Sequence, residues 1–198
     1  VFMADIQRLK ENLEERGFRC TVFATAAQAA DYLDSQIDGV SVGIGGSMTI
    51  QQMGLAQRLG THNEVIWHWE QGDLRRAALT DVYLTSVNGA AESGELVNID
   101  GNCNRIAASV FGHKKVYYVL GQNKIEPDYD RALWRARNIA APKNAQRLGK
   151  KTPCAVKADR CYDCKSPERI CRGLTVLWGK PTSLEEAEVV IIEEDLGL

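Results

Sequence analysis

Apolar positions along this chain follow two alternating rhythms. Spacings of three and four residues mark helices: Ile6, Leu9 and Leu13 give one apolar face within VFMADIQRLKENLEERGF, and Gly17 follows as a helix stop. Short continuous apolar runs mark strands, at about residues 19–24 and 40–45, then 64–69, 81–86 and 95–99. KKVYYVLG, LTVLWG and VVIIEE continue the series. Thr25 is placed to cap a helix over AAQAADYLDSQI, Ser47 to begin one over MTIQQMGLAQRLG, and Ser183 to cap a short one over residues 183–188. Residues 73–79 and 106–111 also read as helical, as does the stretch from Pro127 to about Leu148, where Pro142 breaks or kinks the helix.

Strands alternating with helices predict an α/β fold, a mostly parallel sheet covered on both faces. The unbroken runs VYYVL and VVII suit strands buried on both sides. No repeat or low-complexity linker interrupts the pattern. The expectation is one α/β domain over residues 1–198, with a cysteine-rich loop at about 150–173 as an inserted lobe.

A chain of 198 residues can bury a sizeable core without disulfides or metal. Its formal net charge of -2 gives no global electrostatic case for nucleic acid or an acidic membrane surface. No apolar run approaches transmembrane length. The charged N-terminal segment is unlike a secretory signal; Val1 suggests processing or trimming, and cytoplasm is the expected compartment.

The most specific local chemistry is PCAVKADRCYDCKSPERICRG. Cys154, Cys161, Cys164 and Cys171 are spaced C-x6-C-x2-C-x6-C. Thiolates are soft ligands for zinc or iron–sulfur clusters, and a C-x2-C turn lets two sulfurs face one metal. Lys150, Lys151, Lys157, Arg160, Lys165, Arg169 and Arg172 surround them, which would offset thiolate charge and lower thiol pKa values. The spacing matches neither paired zinc modules nor a ferredoxin run. An iron–sulfur cluster is the expectation, with zinc as the alternative; disulfides, redox thiols and plain structural thiols also stay open.

Three polar segments fall at predicted carboxyl ends of strands, where open α/β sheets bind ligands. VGIGGSMT lets the backbone approach a ligand at Gly45 and Gly46, and places Ser47 at a helix N-terminus suited to an anion. It is neither a dinucleotide fingerprint nor a Walker loop, and tight-turn packing is the plain alternative. Residues 86–105 crowd Asn88, Glu92, Glu95, Asn98, Asp100, Asn102, Asn104 and Arg105 together. Glu92 or Glu95 there suits acid–base or nucleophilic work, against the alternative of a solvated turn. In GQNK, Lys124 can reach an anionic group, although a lone lysine is ordinarily solvated. The histidines show no ligand spacing, and the tryptophans read as core or edge packing.

Together GIGGSMTIQQMG, LTSVNGAAESGELVNIDGNCNRIAASVFG and KVYYVLGQNKI resemble the LUD-domain proteins, the lactate-utilisation family. The cysteine pattern with SPERIC resembles a short stand-alone branch of it. The resemblance implies a Rossmann-like three-layer α/β/α fold similar to the sugar-phosphate isomerase and CoA-transferase superfamily. It also implies a part in oxidising lactate or a related organic acid, alongside iron–sulfur partner proteins. Gly45, Gly46 and Ser47 match the family's glycine turn; Glu92, Glu95, Asn98, Asp100 and Asn102 match its polar hairpin. Core family members lack a cysteine lobe, so the cysteines here depart from them.

The leading expectation is therefore a redox or electron-transfer component whose cysteines hold a cluster and whose cleft takes a small organic acid or phosphate-bearing ligand. The alternative is a CoA-transferase- or isomerase-like enzyme on a small anionic substrate, with Glu92 or Glu95 as base or nucleophile and structural zinc or no metal. A regulatory binding module without turnover is a third reading.

Overall fold

Capping side chains set where the helices begin. The structure is a computed structural model that describes residues 3–71 and 73–198, so Val1 and Phe2 of the predicted N-terminal helix lie outside the described residues. Helix α1 (Ile6–Glu15) starts where the Asp5 carboxylate accepts the Arg8 N–H. It ends at Gly17, whose φ of +87° turns the chain left-handed. The Gly17 N–H then donates to Glu14 O and the Phe18 N–H to Leu13 O, both at 3.0 Å, and Leu13 and Phe18 enter the core together. After β1 (Arg19–Phe23), α2 (Ala26–Gln36) begins on a reciprocal capping box between Thr25 and Gln28.

Next come β2 (Ser41–Ile44), α3 (Met48–Gln52), α4 (Leu55–Leu59), β3 (Glu64–Trp67), α5 (His68–Gln71), α6 (Leu74–Ala77) and β4 (Val82–Thr85). The single helix predicted after Ser47 is two helices, because Gly54 adopts φ +63° between them. The strand expected to reach Trp69 stops at Trp67 and winds directly into α5.

The second half contains β5 (Gly89–Ala91), β6 (Leu96–Asp100), α7 (Asn104–Ala108), β7 (Lys115–Gly121), β8 (Ile125–Glu126) and α8 (Tyr129–Arg135). A π-helical segment, Ala136–Ala140, carries α8 into α9 (Ala141–Arg147). Pro142 cannot donate to the Asn138 carbonyl and its ring would crowd it, and the wider π turn absorbs both effects. The chain closes with α10 (Pro153–Lys157), β9 (Gly173–Leu177) and β10 (Glu186–Ile192). Residues 183–185 are not the predicted capped helix. Glu186 is already extended, donating its N–H to Lys114 O at 3.1 Å, and the Ser183 hydroxyl donates to Val110 O. Pairing of β10 with β7 outweighs the local capping signal.

Six strands form a wholly parallel sheet in the order β1-β10-β7-β4-β2-β3. Side chains alternate across it. Ile44, Leu84, Tyr117, Val119, Val190 and Ile192 pack under α2, α3 and α4. Tyr83, Val116, Tyr118, Leu120, Val189 and Ile191 face the opposite way, onto α1 and onto Ala90 and Leu96 of a second sheet. That second sheet, ordered β8-β5-β6-β9, is mixed, and α8 covers its outer face through Ala132 against Ala91 and Val97. The strongly periodic segments do not announce it, since β5 and β8 are only three and two residues long. The whole is a Rossmann-like α/β fold with a mostly parallel central sheet. Among the described residues no helix is long and apolar enough to cross a membrane.

Candidate functional site

Adjacent strands β2 and β4 send the chain in opposite directions: β2 leads outward to β3, and β4 leads inward to β7. Beyond their carboxyl ends the connections diverge and leave a crevice, the usual ligand position in such sheets. Here it is a cavity of about 450 Å3, bounded by Gly46 and Ser47 after β2, His68 and Trp69 after β3, Ser86 and Asn88 after β4, and Lys124 after β7. The polar hairpin supplies Asp100, Asn102 and Arg105, α9 supplies Arg147, and the cysteine loop supplies Glu168, Arg169 and Arg172.

Backbone packing around β2 demands glycine. A Cβ on Gly43 would stand 2.1 Å from Ala77 O, and one on Gly45 2.8 Å from the Tyr83 hydroxyl. At Gly46 a Cβ would meet the Trp69 indole at 3.2 Å, so this glycine lets the ring close on the cavity wall. Ser47 is 5% exposed, and its hydroxyl accepts the Ile50 N–H at the start of α3.

Lys124 is the least expected member. It is only 4% exposed, and its Nζ donates to Thr49 Oγ1 and Ser86 Oγ, both at 3.0 Å. Among the described residues no carboxylate pairs with it. Burial, followed by the charges of Arg135 and Arg105, pushes its pKa down from 10.5 to about 7. Arg105 is partly buried beside it and acts as the hub of the polar hairpin. Its guanidinium donates to Asn88 Oδ1 at 3.2 Å, Ile99 O at 2.6 Å and Ser86 O at 3.2 Å, and also to Asn98 Oδ1. Burial lowers its basicity, while the Asp100 charge works the other way. Asp100 itself accepts the Arg105 N–H at 2.9 Å, opening α7.

Asn88, Asn98 and Asp100 are thus brought together with Arg105; Asn88, Asp100, Asn102 and Arg105 line the cavity, and the buried Asn98 holds Arg105 without lining it. Glu92 and Glu95 are not at this end. They occupy the closed tip of the β5–β6 hairpin, roughly 10 Å along the strand from Asn98 at ~3.3 Å per residue. Glu92, 4% exposed, accepts the Asp5 N–H at 2.8 Å and lies 3.4 Å from Arg8. Glu95 pairs with Arg16 at 2.9 Å. Both carboxylates hold α1, and neither lines the cavity.

The far wall holds residues whose sequence gave no functional signal. Trp69 stacks on the buried Trp67 at 5.2 Å, and the Arg147 guanidinium lies 4.9 Å over the Trp69 ring. His68 turns a buried Nδ1 that has no hydrogen-bond partner among the described residues. Burial pulls its pKa below the ordinary histidine value, against a backbone bond to Ile44 and the Asp100 charge.

The cysteine loop has a mixed structure. Asp163, in the C-x2-C turn, adopts φ +47° and directs its N–H to Cys161 Sγ at 3.3 Å. Arg137 reaches the same sulfur at 3.7 Å, and Arg169 reaches Cys171 Sγ at 3.4 Å. The π segment helps hold the loop, since Asn138 Oδ1 accepts the Cys161 N–H. Cys154 instead contacts the Thr152 hydroxyl at 3.2 Å. All the cysteines are free thiols, and among the described residues no three His, Cys, Asp or Glu side chains converge as a metal site. Lys150, Arg169 and Arg172, expected to shield the sulfurs, also line the cavity.

A family model described as the LUD domain matches residues 6–192. A crystal structure of a DUF162 family protein from Deinococcus radiodurans has a similar fold, with a TM-score of 0.58 and 14% sequence identity over 94% of this chain and 95% of that one. No curated protein matches the chain by sequence.

Proposed function

The chain belongs to the LUD-domain family, and on that premise we propose that it binds a small organic acid, a 2-hydroxy or 2-oxo carboxylate, in the cavity at the carboxyl ends of β2 and β4, as a component of organic-acid oxidation. One observation carries the proposal: among the described residues five cationic side chains, Arg105 at the floor with Arg147, Lys150, Arg169 and Arg172 around it, share a cavity with two side-chain carboxylates. Both carboxylates are engaged, Asp100 by the Arg105 N–H and Glu168 by the Lys151 N–H. Unbalanced positive charge in a walled crevice attracts an anion more strongly than it would on an open surface. A volume of about 450 Å3 is ample for a small acid and the water that accompanies it. Arg105 is already fixed by its carbonyl partners, so little ordering remains when the ligand enters.

Calorimetric titration at low salt with lactate, pyruvate and inorganic phosphate tests this. Saturable binding of a carboxylate, weakening as salt rises, is expected. Absence of binding by both lactate and pyruvate would reject the proposal, even where phosphate alone binds.

A second reading concerns the cysteine loop. The N–H of Asp163 and the guanidinium groups of Arg137 and Arg169, aimed at Cys161 and Cys171, support a thiolate-bound iron–sulfur cluster that exchanges electrons with an iron–sulfur partner protein, with zinc as the alternative. Metal and acid-labile sulfide analysis on protein purified without oxygen, with a visible spectrum, separates them. Iron and sulfide would favour electron transfer; zinc or no metal would reject it.

A further inference from the structure

We propose that Lys124 is a covalent trap for the carbonyl of a 2-oxo acid: its amine condenses with that carbon to form an imine. The proposal deepens the anion-binding reading of the same cavity and rests on it. Lys124 Nζ has two partners, the Thr49 and Ser86 hydroxyl oxygens, each at 3.0 Å. Each hydroxyl can pass its own hydrogen onward to a main-chain carbonyl, Thr49 to Leu196 O at 3.4 Å and Ser86 to Val87 O at 3.5 Å. Both oxygens are therefore free to accept from Nζ. A neutral amine satisfies its two hydrogens this way and keeps its lone pair. An ammonium would hold a third N–H with no acceptor among the described residues, in a buried position beside Arg105 and Arg135.

Other lysines with partners are different. Lys10, Lys114 and Lys115 each pair with a carboxylate, which holds them protonated. Lys124 alone among these combines burial, two neutral hydroxyl partners and a place on the cavity wall. Its depressed pKa, about 7, agrees with the geometry. At pH 7 it offers on the order of a thousandfold more neutral amine than a lysine at its ordinary value.

The step balances without an oxidant or reductant. The nitrogen lone pair attacks the carbonyl carbon, and the carbonyl π pair moves to oxygen, which takes a proton while nitrogen loses one. The resulting hydroxyl takes up the proton that nitrogen still carries and leaves as water, while the nitrogen lone pair forms the C=N bond. Cavity cations hold the carboxylate, and the Thr49 and Ser86 hydroxyls are placed to relay the protons.

The test incubates the whole chain with pyruvate and sodium cyanoborohydride, then measures intact mass and maps peptides. The expected result is a single adduct at Lys124, with a mass increase equal to the acid less one oxygen atom. Yield should rise across pH 6–8. Lactate has no ketone carbonyl, so it should give no adduct and should suppress the pyruvate adduct by competition. Lys124→Arg should abolish labelling; if that variant does not fold, the wild-type peptide map and the lactate competition decide. Pyruvate binding without an adduct at Lys124, or adducts spread evenly over surface lysines, overturns the imine and leaves the binding site standing. Failure of both pyruvate and lactate to bind overturns both.

Discussion

Replacing Lys124 by methionine should make the protein more stable while destroying its binding site. The two side chains have similar length, so the cavity floor stays filled. A fall in pKa from 10.5 to about 7 corresponds to roughly 5 kcal/mol of destabilisation at 1.36 kcal/mol per pKa unit. Methionine forfeits the hydrogen bonds to Thr49 and Ser86, about 1 kcal/mol each, although both hydroxyls keep carbonyl acceptors. The net gain is about 3 kcal/mol, or roughly 6–12 °C in Tm for a chain of this size. The folded-state pKa is the lower one, so the penalty is fully present below about pH 7 and fades as pH rises toward 10.5. Thermal unfolding of both proteins from pH 6.5 to 9.5 reads this directly. The Tm gap should be widest at pH 6.5 and should narrow steadily. A variant that melts below the wild type at pH 6.5, or a gap independent of pH, would refute the reasoning.

Other substitutions test separate parts of the structure. Gly43→Ala forces a Cβ to 2.1 Å from Ala77 O, and should cost about 3 kcal/mol or prevent folding, as measured by denaturant unfolding. Glu92→Gln weakens the anchor of α1 at Asp5 and Arg8; its Tm should fall while titrated carboxylate affinity stays near that of the wild type, and lost affinity would return Glu92 to the site. The pKa of His62 is raised by its hydrogen bonds to Asp34 and Asp38, so its contribution to stability is present below its unfolded value and lost as pH rises through the folded one. His62→Gln should therefore lower Tm more at pH 5.5 than at pH 8.5.

Features set by neighbours in sequence were legible. The Thr25–Gln28 box, the Gly17 stop and the buried runs VYYVL and VVII are local patterns, and they place α2, the end of α1 and the central strands. Features set by distant partners were not. β9 joins the mixed second sheet by antiparallel pairing with β6, far earlier in the chain, and nothing in LTVLWG announces that. The polar segment 86–105 was visible as a dense cluster, but hairpin register decides which end meets the cavity. That register puts Asn88, Asn98 and Asp100 beside Arg105 and turns Glu92 and Glu95 to α1. Lysine type argued for solvent at position 124; burial there comes from Thr49, Ser86 and the segment at Gly197, which no local pattern connects. The cysteine spacing was plain, yet convergence of four sulfurs depends on how α10 and the C-x2-C turn are held, and the π segment that holds the turn was visible only as a proline inside a helix.

The most direct test of the account is a crystal structure of the protein soaked with lactate, which can occupy the cavity without condensing with Lys124. The account predicts the lactate carboxylate within hydrogen-bond distance of Lys124 or Arg105, at the carboxyl ends of β2 and β4. Lactate bound elsewhere, or a cavity holding only water at saturating lactate, would contradict it.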